Sequence, residues 1–260
     1  MSETSNQFIF FGTGTSQGVP VIGCTDPVCF SNNPKDKRLR ASAMVIYQGV
    51  YILIDCGPDF RQQMLRENIS RVDALLVTHE HNDHIIGLDD IRPINFFTKK
   101  DMPLYAMPRV LKEIKYRFPY VFKSEKYPGV PSINAIPISQ RPFEVNGIQI
   151  TPLVAFHGES PILGYRIGNM AYLTDISDIP VETMDLLQDL DILVIDALRK
   201  DKQHHSHLTL EQAIDYAQKI QAKKTYFTHI SYEMGFHDEV EKELPPDMYL
   251  GYDGLKLIFK

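Results

Sequence analysis

"THEHNDH", Thr78 to His84, sets His79, His81, Asp83 and His84 within six consecutive positions. Imidazole nitrogen and carboxylate oxygen together suit borderline divalent ions, zinc above all. The stretch follows "VDALLVT", a short apolar run that reads as a strand, so it is expected on a loop at a strand end. Loops of that kind are where rigid scaffolds place chemistry. A His-x-His spacing lets the rings of His79 and His81 converge on one ion, while Asp83 and His84 turn towards another. A single histidine here would read as a surface or core residue; four ligand-type residues together do not.

Three more residues of ligand type follow apolar, β-rich runs directly: His157 in "LVAFHGES", Asp175 in "AYLTDIS" and His229 in "YFTHIS". The expected division gives His79, His81 and His157 to a first ion and Asp83, His84 and His229 to a second. Asp175 supplies an oxygen to both. Ions bridged in this way sit about 3.5–4 Å apart and clamp the attacking and leaving oxygens of a displacement.

Outward from the motif, "QFIFFGTG" and "ASAMVIYQGVYILIDCG" read as strands, the latter as two runs turning at Gly49. Pro58 to Ile69 looks helical, and Ile85 to Phe97 reads as a short helix broken near Pro93. "GIQITPLVAF", "ILGYRIG", "MAYLTD", "LDILVID", "KTYFTH" and "LKLIF" read as strands. Leu210, Ala213, Ile214, Ala217 and Ile220 repeat at helical spacing, with Thr209 and Gln212 placed as a capping box. Two strand-rich halves with helices appended predict an α+β fold, two sheets face to face with helices outside. No linker, repeat or low-complexity segment interrupts residues 1–260, which favours a single domain.

The 260-residue chain is 43% hydrophobic and 23% charged, ordinary for a globular protein. "MSETSNQ" lacks a signal-peptide pattern, no apolar run is long enough to cross a bilayer, and Cys24, Cys29 and Cys56 are too few for a disulfide framework. These features predict a cytoplasmic protein with no membrane partner. A net charge of −6 argues against a general nucleic-acid-coating role.

His-x-His-x-Asp-His after a strand, with His157, Asp175 and His229 following in that order, resembles the metallo-β-lactamase superfamily across nearly the whole chain. The resemblance implies an αββα sandwich of two mixed sheets with a dinuclear site at one sheet edge. "FFGTGTSQGVPVIGC" and "GYDGLKL" look like the branch that holds the phosphonate-pathway cyclic ribose phosphate phosphodiesterases. The transfer-RNA 3′-end nucleases are more distant.

The expected activity is cleavage of a phosphodiester, of small cyclic or nucleotide-like form, by hydroxide generated on the metals. A metal lowers the pKa of its bound water towards about 7. Two dications offset by Asp83, Asp175 and one hydroxide leave a local charge of about +1, which favours an anionic substrate. Zinc leads, with manganese or iron also accepted by this ligand set. His207, in "KDKQHHSHLTL", matches the histidine that the resembling branch uses near the scissile phosphate. His207 and Asp83 are therefore the candidate catalytic residues, His207 as general acid or phosphate stabiliser. His204 and His205 fit exposed loop positions better. Asp55 and Asp196, both ending apolar strands, are read as groups that orient ligand histidines or pin the loops. A carboxylate capping local backbone amides is the other reading of each.

"GTGTSQG" is spaced wrongly for a dinucleotide fingerprint, and its glycines suit a tight loop near the metals. In the resembling phosphodiesterases the following loop holds a structural zinc on three cysteines and a later histidine. Here Asp26 and Tyr232 stand at two of those positions, and Cys24 with Cys29 do not close a tetrahedral site. Two reduced thiols are expected, with Asp26 and His237 as the only candidates to complete a zinc site. From Lys99 to Tyr127, eight Lys or Arg stand against three acids among Tyr105, Tyr116, Phe118, Tyr120, Phe122 and Tyr127. That segment is a candidate lid over the substrate, with a nucleic-acid strand or a homodimer contact as alternatives. The rival functions are an RNA 3′-end processing nuclease and, from another class, a non-catalytic binding protein on the same fold.

Overall fold

In the computed structural model, described over residues 6–123, 125 and 127–260, the strands assemble into two seven-stranded sheets. Residues 1–5, with most of the polar N-terminal stretch, and Ser124 and Lys126 of the basic segment lie outside the described residues. The first sheet contains β1 (Asn6–Gly12), β2 (Ser42–Tyr47), β3 (Val50–Ile54), β4 (Ala74–Leu76), β5 (Met102–Ala106) and β6 (Ile133–Pro137). The second contains β7 (Phe143–Val145), β8 (Ile148–His157), β9 (Ser160–Ile167), β10 (Met170–Leu173), β11 (Ile192–Asp196), β12 (Lys224–Thr228) and β13 (Met248–Leu250). The last strand, β14 (Lys256–Phe259), returns to the first sheet beside β1, giving orders β14-β1-β2-β3-β4-β5-β6 and β13-β12-β11-β10-β9-β8-β7.

Side chains alternate across a strand, so a strand apolar on both faces must be covered on both. In β1, Phe8 and Phe10 enter the layer between the sheets, while Ile9 and Phe11 join the layer outside the first sheet. In β11, Ile192 and Val194 face inward and Leu193 and Ile195 outward. Helices α1 (Phe60–Arg66), α2 (Asn82–Ile85), α3 (Arg92–Thr98) and α4 (Pro108–Arg117) cover the first sheet, with Phe60, Met64, Ile85, Ile94, Val110 and Ile114 buried there. Over the second sheet lie α5 (Val181–Met184), α6 (Leu210–Ile220) and α7 (His237–Val240), burying Leu210, Ala213, Ala217, Ile220 and Val240. The result is the expected αββα sandwich of the α+β class.

The capping box of α6 is present: Thr209 Oγ1 accepts from the Gln212 amide, and Gln212 Oε1 accepts from the Thr209 amide. Such a cap contributes about 1 kcal/mol. The reading of a helix broken near Pro93 is corrected. The interruption is a 3₁₀ stretch over Ile86–Ile91, and Pro93 sits in the first turn of α3, where a missing N–H costs nothing.

Direction matters most for function. β3 and β4 run parallel, β10, β11 and β12 run parallel, and β8 is antiparallel to β9, itself antiparallel to β10. The C-terminal ends of β8, β10, β11 and β12 therefore share one edge of the second sheet, as those of β3 and β4 share one edge of the first.

Candidate metal centre

Each predicted ligand emerges at one of these two edges. The chain leaves β4 at Leu76, passes buried Thr78, and delivers His79 and His81 before Asp83 and His84 in α2. His157 ends β8, Asp175 follows β10 and His229 follows β12. Asp55, Asp175 and His229 all lie in the left-handed backbone region, with φ of 63°, 58° and 59°. Non-glycine residues avoid that region, and where it persists it gathers at functional sites.

A close backbone contact seats the motif. The Cys56 amide donates to the His84 carbonyl at 2.7 Å, and the Gly87 amide donates to the Cys56 carbonyl at 2.9 Å. A Cβ at Gly57 would stand 2.0 Å from the Asp83 carbonyl oxygen, so only glycine admits the loop.

The predicted ligands gather as divided in sequence. One ligand atom from each of His79, His81 and His157 lies within 4.8 Å of the others, as do those of Asp83, His84, Asp175 and His229. His79 Nε2 is 3.0 Å from His81 Nδ1, and His84 Nε2 is 3.1 Å from both Asp83 Oδ2 and Asp175 Oδ2. Asp175 Oδ1 lies 3.2 Å from His229 Nε2 and 3.9 Å from His79 Nε2, so its carboxylate stands between the two groups. Ligand atoms about 2.1 Å from one ion sit roughly 3.0–3.4 Å from each other; the pairs at 3.0–3.2 Å match that spacing, while His229 Nε2 and Asp83 Oδ2 stand wider, 4.0 Å apart.

The hydrogen bonds decide which nitrogen each ring offers. His84 Nδ1 donates to Asp55 Oδ2 at 2.7 Å, and His157 Nδ1 donates to the Asp175 carbonyl at 2.8 Å. Thr78 Oγ1 donates to Asp55 Oδ2, so it accepts from His79 Nδ1 at 2.9 Å. In all three rings the bare lone pair is left on Nε2. Among the described residues, His84 Nε2 and both ring nitrogens of His229 are buried without a hydrogen-bond partner. Unsatisfied buried nitrogen is costly unless something else takes the lone pair.

The electrostatics ask for cations at the same place. Burial opposes charge on His229, yet Asp175 and Asp83 overcome it and raise its pKa to about 9. His84 is likewise raised against burial by Asp175, Asp83 and Asp55. Burial also opposes ionisation of Asp175, and His229 with His84 hold its carboxyl well below the usual range. With no carboxylate at hydrogen-bond distance, His79 is driven down by burial and by His84. Donor chemistry, lone-pair direction and field all fit divalent cations.

Asp55 and Asp196 take the orienting places expected of them. Asp55 serves His84 and Thr78; Asp196 Oδ2 accepts from His207 Nδ1 at 3.1 Å, and its Oδ1 lies 3.6 Å from His229 Nδ1. A ring nitrogen of His207 comes within 4.8 Å of ligand atoms of His157 and Asp175. His204, read as an exposed loop residue, is instead half-buried with its ring 5.0 Å from His207; His205 is exposed. The loop of Gly12 to Gly18 does lie beside the site: Ile230 donates to the Thr13 carbonyl, and Thr15 to the Ile230 carbonyl.

Two expectations change. Part of the Lys99–Tyr127 segment is built against the first sheet, residues 102–106 as β5 and 108–117 as α4, with Val110, Leu111, Ile114 and Phe118 buried; Lys112 and Lys115 take the exposed face of the amphipathic helix, while Arg109 and Arg117 turn to the motif loop. From α4, Arg117 donates to the Glu80 carbonyl at 2.6 Å and to Asn82 Oδ1 at 2.8 Å. Arg109 pairs with Glu80 and with the Pro161 carbonyl, joining the motif loop to the β8–β9 hairpin. The sequence reading missed these two arginines; the only signal was their helical spacing of eight residues. Cys24 and Cys29 are paired as a disulfide rather than standing as reduced thiols, their Cα atoms 6.4 Å apart across a short loop that such a bridge spans. Asp26 caps Val28 and His237 packs against Arg38, so neither joins the two sulfurs in a zinc site.

The beta-lactamase superfamily domain model matches residues 51–230. A Porphyromonas gingivalis protein named octanoyltransferase is 44% identical over 252 residues, covering 96% of this chain and 51% of that protein. This chain thus spans about half of that relative's length. Among solved structures, a diphosphatase from the PhnP family is 44% identical with TM-score 0.92, covering 98% of each chain. The short form of human tRNase Z, 18% identical at TM-score 0.70 over 96% of this chain and 98% of that one, shares the fold.

Proposed function

The chain belongs to the beta-lactamase superfamily, and on that footing we propose a dinuclear metal-dependent hydrolase that cleaves a small phosphodiester. The observation that carries the reading is the Asp175 carboxylate, one oxygen 3.1 Å from His84 Nε2 and the other 3.2 Å from His229 Nε2 and 3.9 Å from His79 Nε2. His79, His81 and His157 would hold one ion, Asp83, His84 and His229 the other, with Asp175 shared. Zinc suits this donor set, and manganese or iron would be accepted. When bound, the ions supply Lewis acidity, bringing a water's pKa towards about 7 and polarising the phosphoryl oxygen.

The residues of the chain do the rest. Hydrolysis adds the oxygen of water to phosphorus, breaks the ester P–O bond and returns a proton to the leaving oxygen. Asp196 holds the proton of His207 on Nδ1, which leaves Nε2 as the nitrogen that exchanges a proton with the substrate. Asp83, held ionised by His84 and His229, keeps an anionic oxygen among the reacting atoms. Asp55, through Thr78 and His84, fixes the ring orientation on the motif side.

The solved structure that shares 44% identity over 98% of each chain carries the name diphosphatase, which favours a second reading in which the ester bears a diphosphate. RNA 3′-end cleavage rests on tRNase Z, which at 18% identity supports the fold alone. A non-catalytic binding role is disfavoured because every member of the ligand set converges. We also read residues 1–260 as one domain, since the two sheets share one inner core; among the described residues no helix is long and apolar enough to cross a membrane.

Steady-state assays on bis-p-nitrophenyl phosphate, cyclic nucleotides, a dinucleoside diphosphate and precursor transfer RNA, run with measured metal content, test the proposal. Two metals per chain and turnover of the small esters are expected. Preference for the large RNA would sink it. A protein that stays inactive after metal reconstitution would favour the binding role.

A further inference from the structure

The loop that leads to His207 is built more firmly than its surface position requires. Arg199, only 9% exposed, donates to the Lys202 carbonyl at 2.6 Å, to the Gln203 carbonyl at 3.0 Å and to Glu233 at 2.6 Å. A buried guanidinium thereby fixes the backbone immediately before His204. Buried Ser206 does the same from the other side, its amide and hydroxyl lying 3.3 and 3.2 Å from His204 Nδ1. An amide can only donate, so Nδ1 is the accepting nitrogen and neutral His204 carries its proton on Nε2.

The imidazoles form a run that climbs out of the site. His207 stacks on His229 at 4.7 Å and meets His157 at 4.8 Å; His204 follows at 5.0 Å and His205 at a further 4.4 Å. Exposure rises along the run, from buried His229 through half-buried His207 and His204 to exposed His205. The loop lies against the turn after His157, where a Cβ at Gly158 would stand 3.7 Å from the His205 carbonyl oxygen. His204 and His205 belong to none of the candidate metal groups among the described residues.

An N–H donor held in place, one ring beyond the proton-exchanging histidine and backed by Arg199, suits an anionic oxygen. An apolar leaving group would leave it unsatisfied. We propose that His204, with His205 at the rim, forms a subsite for a second phosphoryl group adjoining the one attacked. The inference rests on the hydrolase reading above and narrows its substrate to diphosphate diesters: the oxygen of water adds to one phosphorus, the bridging P–O–P bond breaks, and the second phosphate leaves as a monoester.

The test compares kcat/KM for diadenosine diphosphate and for bis-p-nitrophenyl phosphate in the metal-loaded enzyme. The wild type favours the diphosphate at least tenfold. His204→Ala collapses that ratio at least tenfold through KM, and His204→Gln, whose amide restores a donor, recovers part of it. A wild type without the preference, or a ratio that His204→Ala leaves alone, overturns the subsite. Should the wild type cleave neither these two esters nor cyclic nucleotides, the hydrolase reading fails separately. The subsite is then decided by calorimetry of the metal-loaded protein with pyrophosphate and orthophosphate. Tenfold tighter pyrophosphate binding that disappears in His204→Ala upholds it, and equal affinities overturn it.

Discussion

Oδ2 of Asp196 accepts from Nδ1 of His207 at 3.1 Å, and the same oxygen accepts from the Ile176 amide at 3.1 Å. One carboxylate therefore ties the β11 end to the loop after β10 and sets a tautomer. Asp196→Asn replaces a double acceptor by a group that can donate, so His207 loses its fixed proton on Nδ1. Outer partners of this kind carry about 10–100-fold in activity or metal affinity. We expect kcat/KM to fall by that factor, with weaker zinc retention through the neighbouring His229. Steady-state kinetics beside zinc titration checks both, and unchanged values would contradict the orienting role.

Gly57→Ala probes the seat of the motif. Its Cβ would stand 2.0 Å from the Asp83 carbonyl, and the clashing atom is backbone. Overpacking of this sort costs about 1–3 kcal/mol. A lower midpoint in urea and looser metal binding are expected together, because the displaced residue, Asp83, is a proposed ligand. A loss of stability with metal affinity intact would separate the two.

The clamp from α4 makes a third case. Arg109 and Glu80 are both partly exposed, so their coupling is expected at about 0.5–1 kcal/mol in a double-mutant cycle. Arg117→Ala should be felt more in metal retention than in folding, since Arg117 holds the Glu80 carbonyl between His79 and His81. Chelator competition against the wild type reads that difference. An unaltered chelator midpoint would show that the loop holds itself.

The proposed ligand set was readable because each member follows an apolar strand, so chain order alone placed seven side chains at one edge. Asp55 and Asp196 were readable for the same reason. What escaped was structure without periodicity to announce it. β7 is three residues long, and β5 carries Pro103 within "MPLYA", which demotes a strand in any reading by pattern. In α4, Val110, Leu111 and Ile114 form the buried stripe, but Arg109, Lys112, Lys115 and Arg117 around them gave the segment a basic look suited to a lid. His204 escaped because its burial depends on Arg199 and Ser206 hydrogen bonds that no local pattern encodes.

Metal removal should abolish activity and leave the fold. The three apolar layers lie between and outside the sheets, and none of the proposed ligands belongs to them. Stripped protein is expected to keep its far-ultraviolet dichroism while its midpoint drops, the drop growing with metal concentration over Kd. Readdition of zinc or manganese should restore both. Complete unfolding on chelation would mean that the ions, rather than the sandwich, hold the edge together.

His237 offers a pH test away from the metals. It is 1% exposed, and its Nδ1 lies 3.2 Å from Arg38 Nη2, which can only donate, so the folded state needs the neutral ring. Burial first, then the cations Arg38 and Lys35, lower its pKa to about 4. The unfolded chain keeps a value near 6.5. Above that value the ring is neutral in both states and costs nothing. Between about 6.5 and 4 the unfolded chain binds a proton that the folded one refuses, so stability falls as the pH falls. The loss is complete below about 4, and between pH 7 and 5 it amounts to about 2 kcal/mol. Urea midpoints of the metal-loaded protein at the two pH values should show this decline. His237→Gln, which keeps an acceptor for Arg38 but cannot titrate, should flatten it by that amount. If the variant loses stability between pH 7 and 5 as steeply as the wild type, the buried ring is not the group that sets the slope.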